Sequence, residues 1–66
     1  MNKNNINKAI DYVIQIYSDK YNCSIEKATN IVNDSSSIEL LKLNPDYVLH
    51  YNLEYWAKEI RREALK

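Results

Sequence analysis

His50 and Cys23 are the only soft metal ligands in the chain, and they fall in different segments. A zinc site needs three or four protein ligands held in tight geometry. Asp46 and Glu54 lie near His50 in sequence, but the spacing supplies no complete set, so no metal is expected. A nucleophilic site would draw on Cys23 or on one of Ser35, Ser36 and Ser37, with His50 as base and Asp46 orienting it. Such chemistry also requires a preformed oxyanion hole and a substrate pocket. The chain has no glycine for close backbone approach, and a pocket of ~300 Å3 would take most of the core of so small a domain. Neither catalysis nor a cofactor is expected. His50 reads as a side chain satisfied by a neighbouring cap or carbonyl.

The residues that do cluster are aromatic. Between Tyr47 and Trp56 stand Tyr47, Tyr51, Tyr55 and Trp56, four of the seven aromatic residues, together with the single histidine. Large rings with a polar tip either complete a small core or form a partner surface. Trp56 lies on the apolar stripe of its helix and is expected to fill the core. Tyr55, about 200° away from Leu53 on the same wheel, points outward. Tyr47, His50, Tyr51 and Tyr55, supported from beneath by Trp56, are therefore the candidate partner-binding residues. The tyrosine count itself carries less weight than position. Asn, Ile, Lys and Tyr, all encoded by A/T-rich codons, make up thirty of the 66 residues.

A chain of 66 residues is read as one domain, and at this size only about 60% of the unfolded surface can be buried. The lone Cys23 forms no internal disulfide, so neither of the usual reinforcements of a small domain is in view. Nine basic and nine acidic side chains balance to zero, which removes the long-range field that nonspecific nucleic-acid binding uses. No apolar run suggests a signal peptide or a membrane span, and a cytoplasmic protein is expected. The first five residues are expected to be disordered.

The elements that must position the aromatic cluster follow from periodicity. From Ile6 to Tyr21 the apolar residues Ile6, Ala9, Ile10, Tyr12, Val13, Ile14, Ile16, Tyr17 and Tyr21 fall on one side of a wheel, with Ser18 among the polar residues opposite. The apolar arc spans about 200°, twice the stripe of an ordinary surface helix. This helix should be central, packing on two neighbours, or on one neighbour and a partner. Without glycine, Asn22, Asn33 and Asn44 are the expected helix terminators. Ser24 caps a second helix, Ile25 to Val32, with Ile25, Ala28 and Val32 inward. Ser36 and Glu39 form a capping-box pattern opening a third helix that ends near Asn44, because Pro45 disfavours helical geometry before it. Pro45 opens a single turn through Tyr47 and Leu49. After Asn52 as cap, Leu53, Trp56, Ala57, Ile60 and Ala64 mark the inner face of a last helix to about Leu65. Glu54 at its start and Arg61, Arg62 and Lys66 at its end complement its dipole. The expectation is an all-α bundle of three main helices plus a short fourth helix or turn.

A helix-turn-helix order is present in the second and third helices. The would-be recognition helix, Ser37 to Leu43, is acidic and apolar where base contacts need polar or basic residues. Lys58, Arg61 and Arg62 are the only local basic cluster, and nucleic acid is a disfavoured partner.

Three motifs carry a resemblance: Ile10-Asp11-Tyr12-Val13-Ile14, Ser24-x-x-Lys27-Ala28, and Tyr47-Val48-Leu49-His50 followed by Glu54-Tyr55. Over roughly Ile10 to Ile60 the chain resembles a family of very small bacterial all-helical domains of unknown function. These share a Val-Leu-His step and a Glu-Tyr pair opening the last helix. The resemblance implies an accessory or antitoxin-like role beside toxin or mobile-element genes, with a protein partner and no catalytic residues. The chain departs from the pattern at Trp56, where an aliphatic residue is more usual, and in lacking a glycine between the histidine and the Glu-Tyr pair. The functional expectation is a noncatalytic module that binds and occludes a protein partner. A DNA-binding regulator and a self-associating structural module are the alternatives.

Overall fold

The computed structural model describes the backbone of residues 3–65 and, within it, all side chains but those of residues 3–5 and Leu49. Five helices follow one another: α1 (Lys3–Tyr21), α2 (Ile25–Asn33), α3 (Ser36–Leu43), α4 (Pro45–His50) and α5 (Leu53–Ala64). The described residues contain no strand, so the protein is all-α. Three main helices and a short fourth were expected. α1 packs chiefly against α5 and α2, while α3 and α4 pair with each other beside them. Of the N-terminal residues expected to be disordered, 1 and 2 lie outside the described residues, and helical backbone begins at Lys3.

The buried face of α1 is turned from the one that hydropathy alone selects. Ala9, Val13, Ile14 and Tyr17 enter the core, and so does Ser18, while Tyr12 is 63% exposed. Ser18, expected outside, is tolerated there because its Oγ donates 2.6 Å to the Cys23 carbonyl. The bond satisfies its hydroxyl, which removes the main cost of burying it. The chain turns at Asn22, the single described non-glycine residue with positive φ, at 53°. A short polar side chain tolerates this left-handed geometry in the absence of glycine.

Asn33 and Asn44 do not share that role. Asn33 lies within α2, which closes instead at Asp34 in right-handed geometry. Asn44 takes φ −145° and ψ 73°, outside the helical region that Pro45 disfavours in its predecessor. Ser24 caps α2 by accepting from Lys27 N at 3.1 Å. Ala28 and Val32 point inward, but Ile25 at the start of α2 is an exposed residue. At the first position of α2, it is not among the residues packed against the core.

The capping box at Ser36 and Glu39 does not form. Ser35 holds the N-cap position of α3 without a side-chain cap bond, because its Oγ donates to the Val32 carbonyl at 2.6 Å. The cap comes from α5. Glu63 accepts from the Ser36 backbone N–H at 3.1 and 3.3 Å and from Ser36 Oγ at 2.7 Å. A carboxylate at the positive end of α3 satisfies orphan donors and the helix dipole together.

Two further ties fix α5 to the end of α1. Lys20 Nζ donates to Glu54 at 3.0 Å, and the Arg61 guanidinium sits 4.8 Å above the Tyr21 ring. The Glu54 carboxyl is held below its ordinary range, first by its hydrogen bond to Lys20 and then by the charges of Lys20 and Lys58. Tyr17 is fully buried, and its hydroxyl has no partner in hydrogen-bonding geometry among the described residues. It is nevertheless close enough to be the first cause that favours protonated Arg61. We read this as an electrostatic contact short of a full hydrogen bond.

Candidate functional site

The five candidate residues come together at the α4–α5 corner. α4 ends at His50, Tyr51 and Asn52 are extended, and Asn52 then caps α5 by accepting from Tyr55 N at 2.8 Å. This two-residue corner brings Tyr47, a turn back in α4, alongside Tyr55 in the first turn of α5. Leu49, assigned by sequence to the α4 turn, has a side chain outside the described set.

Trp56 anchors the corner. It is 7% exposed, and its indole Nε1 donates 2.7 Å to the carbonyl of Val48. Val48 O also accepts from Tyr51 N at 3.3 Å. The indole thus helps close the C-terminal end of a six-residue helix whose last carbonyls lack intrahelical donors. A short helix with a Pro start and no side-chain N-cap bond is held at its far end by the next helix's tryptophan.

Tyr51 is the hub of the cluster. Its ring stacks on Tyr55 at 5.0 Å and 22°, and meets Tyr47 at 5.7 Å, His50 at 5.6 Å and Trp56 at 5.9 Å in edge-on contacts. Tyr55 and Tyr47 each lean on Trp56, at 5.0 Å and 6.3 Å. Offset and edge-to-face pairs of this kind add roughly 0.5–1.5 kcal/mol each beyond the area they bury. The result is an ordered aromatic layer open to solvent. Tyr47, Tyr51 and Tyr55 are 48%, 40% and 41% exposed, and His50 is exposed beside them. The Tyr47 phenol is pushed above its ordinary range, first by the side chain of Tyr51, so it stays neutral at physiological pH.

Beside this layer an open groove of about 510 Å³ runs between α3, α4 and α5. Tyr47, Tyr55 and Trp56 form its aromatic wall, and Glu59, Arg62 and Glu63 its polar one. Sequence reasoning did not single out this polar wall. Its signal is nonetheless present: Tyr55, Glu59, Arg62 and Glu63 recur at i, i+4, i+7 and i+8, one outer face of α5.

The residues considered for chemistry are dispersed. Cys23 lies half-buried at the α1–α2 turn, and Ser35 Oγ is committed to Val32 O. Among the described residues no group of three or more His, Cys, Asp and Glu side chains is placed to hold a metal ion. The basic cluster is divided as well. Arg61 lies over Tyr21, Arg62 pairs with Glu59 at 3.2 Å, Lys58 is exposed, and Lys66 is outside the described residues. No described helix is long and apolar enough to cross a membrane. Comparison of the chain with protein-family models, curated proteins and solved structures found no match.

Proposed function

We propose that this chain is a noncatalytic protein-binding module, an antitoxin-like or inhibitory accessory protein that acts by occluding its partner. The observation that carries the reading is the ordered layer of half-exposed tyrosines at the α4–α5 corner, with Tyr51 at its hub and Trp56 buried beneath it. Rigid aromatic side chains lose little conformational freedom on binding, and tyrosine and tryptophan dominate interface hot spots. The antitoxin-like element rests on the resemblance through Tyr47-Val48-Leu49-His50 and Glu54-Tyr55.

Two arrangements weigh against the alternatives. The N-terminal end of α3, which a helix-turn-helix protein would aim at DNA, carries the Glu63 carboxylate; a negative charge there repels phosphate. On α1, the exposed Tyr12 is surrounded by Lys8, Asp11 and Gln15, a polar setting for a self-association face. The test is the affinity of the captured partner for Tyr55→Ala, measured by calorimetry. A loss of more than about 1 kcal/mol with an unchanged circular dichroism spectrum is expected. Unchanged affinity removes the aromatic layer from the interface.

A further inference from the structure

The six residues of α4 are held to the rest of the fold by little. Isolated helices shorter than about 12 residues are marginal in water, so α4 must draw its stability from its neighbours. It packs chiefly against α3. Val48 is the one buried side chain among those described, whereas Asp46, Tyr47 and His50 are exposed. The backbone bonds at its two ends, from Val48 N to Asn44 O and from Tyr51 N to Val48 O, are both long at 3.3 Å. Its N-cap makes no side-chain bond. Among the described residues, the Trp56 indole supplies the one hydrogen bond that another helix makes to it. By contrast, α1 packs on both α2 and α5 and sends Ala9, Val13, Ile14 and Tyr17 into the core.

Both ends of α4 are non-helical joints. Asn44 stands at φ −145° and ψ 73°, and Tyr51 and Asn52 are extended at ψ 159° and 157°. A segment with few buried contacts opens locally at a lower free energy than the whole fold, and element-terminal residues are where such a movement is absorbed. We propose that α4 is a strap that opens and recloses as a unit on these two joints, with Val48 and the Trp56 indole as its closure, while α1, α2 and α5 stay packed. Tyr47 moves with α4, whereas Tyr55 and Trp56 remain on α5. Each opening therefore takes apart the ring contacts of Tyr47 with Tyr51 and Trp56, and each closing rebuilds the tyrosine layer. The inference concerns the chain alone and stands apart from the binding role proposed above.

Native-state hydrogen exchange of the intact chain tests this, read by NMR at several urea concentrations below the unfolding transition. The amides of Val48, His50 and Tyr51 are expected to share one opening constant. It should be at least about tenfold larger than that of the amides from Val13 to Tyr17, and nearly independent of urea. Ile14→Val thins the core under α1; it should speed exchange at the α1 amides about fivefold and leave the α4 amides unchanged. Trp56→Phe removes the indole bond and should speed the α4 amides about fivefold. Opening constants graded inward from either end of α4 would mean fraying and overturn the unit. Equal responses of α1 and α4 to urea and to Ile14→Val would mean that α4 opens only with the whole fold, which overturns the proposal. Exchange at α4 untouched by Trp56→Phe overturns the indole as its closure.

Discussion

Replacing Trp56 tests how the α4–α5 corner is held. Trp56→Ala removes a buried indole, its 2.7 Å bond to Val48 O and its contacts with three tyrosines. Large-to-small changes at buried tryptophan cost about 3–5 kcal/mol. A 66-residue chain has only about 3–10 kcal/mol of total stability on a per-residue basis. At about 2.1 cal/mol/K of unfolding entropy per residue, each kcal/mol corresponds to roughly 7 °C in melting temperature. Trp56→Ala should therefore lower the melting temperature by about 20 °C or more, or leave the chain unfolded. Trp56→Phe separates packing from the hydrogen bond. It keeps one ring and loses the N–H, leaving Val48 O with the 3.3 Å bond from Tyr51 alone. About 1 kcal/mol for the bond and about 1 kcal/mol for the smaller ring predict a fall near 14 °C. Thermal denaturation followed by far-UV circular dichroism reads both. A Trp56→Ala midpoint within about 5 °C of the parent would refute the anchoring role. A Trp56→Phe midpoint equal to the parent's would remove the indole hydrogen bond from the account.

Glu63→Ala should lower the melting temperature by about 7 °C, the effect of losing an N-cap worth about 1 kcal/mol, and no change in a thermal scan would refute capping of α3 from α5. Asn22→Ala keeps a β-carbon in left-handed geometry but loses the short polar side chain that makes it tolerable there, and should cost about 1 kcal/mol, whereas Asn22→Gly should be near neutral; urea titration distinguishes them. Glu54 has a depressed folded-state pKa, so its stabilisation is complete above the unfolded value and lost as pH falls through the folded one. The midpoint difference between parent and Glu54→Gln should be constant above about pH 5 and shrink to nothing as pH falls through the depressed folded-state value. A difference that persists in acid would remove the Lys20 pairing as its cause.

Local signals in the sequence were enough where one residue acts on its neighbours. Ser24 and Asn52 cap the helices they precede, Asn22 takes the left-handed turn, and Trp56, Ala57 and Ile60 are buried on the stripe their spacing defines, whereas Ala64 at its far end is exposed. What was not legible depends on partners distant in the chain. Ser36 looks like its own N-cap because Glu39 stands three residues on, yet the carboxylate that caps it comes from Glu63, 27 residues away. Ser18 is buried because the turn returns the Cys23 carbonyl to it. A wheel assigns Tyr12 and Tyr17 to one apolar arc, but α2 and α5 cover only the side that holds Tyr17. The aromatic cluster was visible as composition, whereas Tyr51 as its hub depends on two extended residues at the corner. Glu59, Arg62 and Glu63 read individually as a solvated helix face, and become a groove wall only when α3 and α4 stand opposite.

The most direct measurement is site-specific photocrosslinking in the native cell. A photoreactive phenylalanine analogue replaces Tyr55, and in a control it replaces Asp11 on the outer side of α1, with crosslinked products identified by mass spectrometry. A single protein joined through position 55 and absent from the position 11 control is the predicted result. Crosslinks of equal yield from both positions, or to nucleic acid in place of protein, would contradict the account.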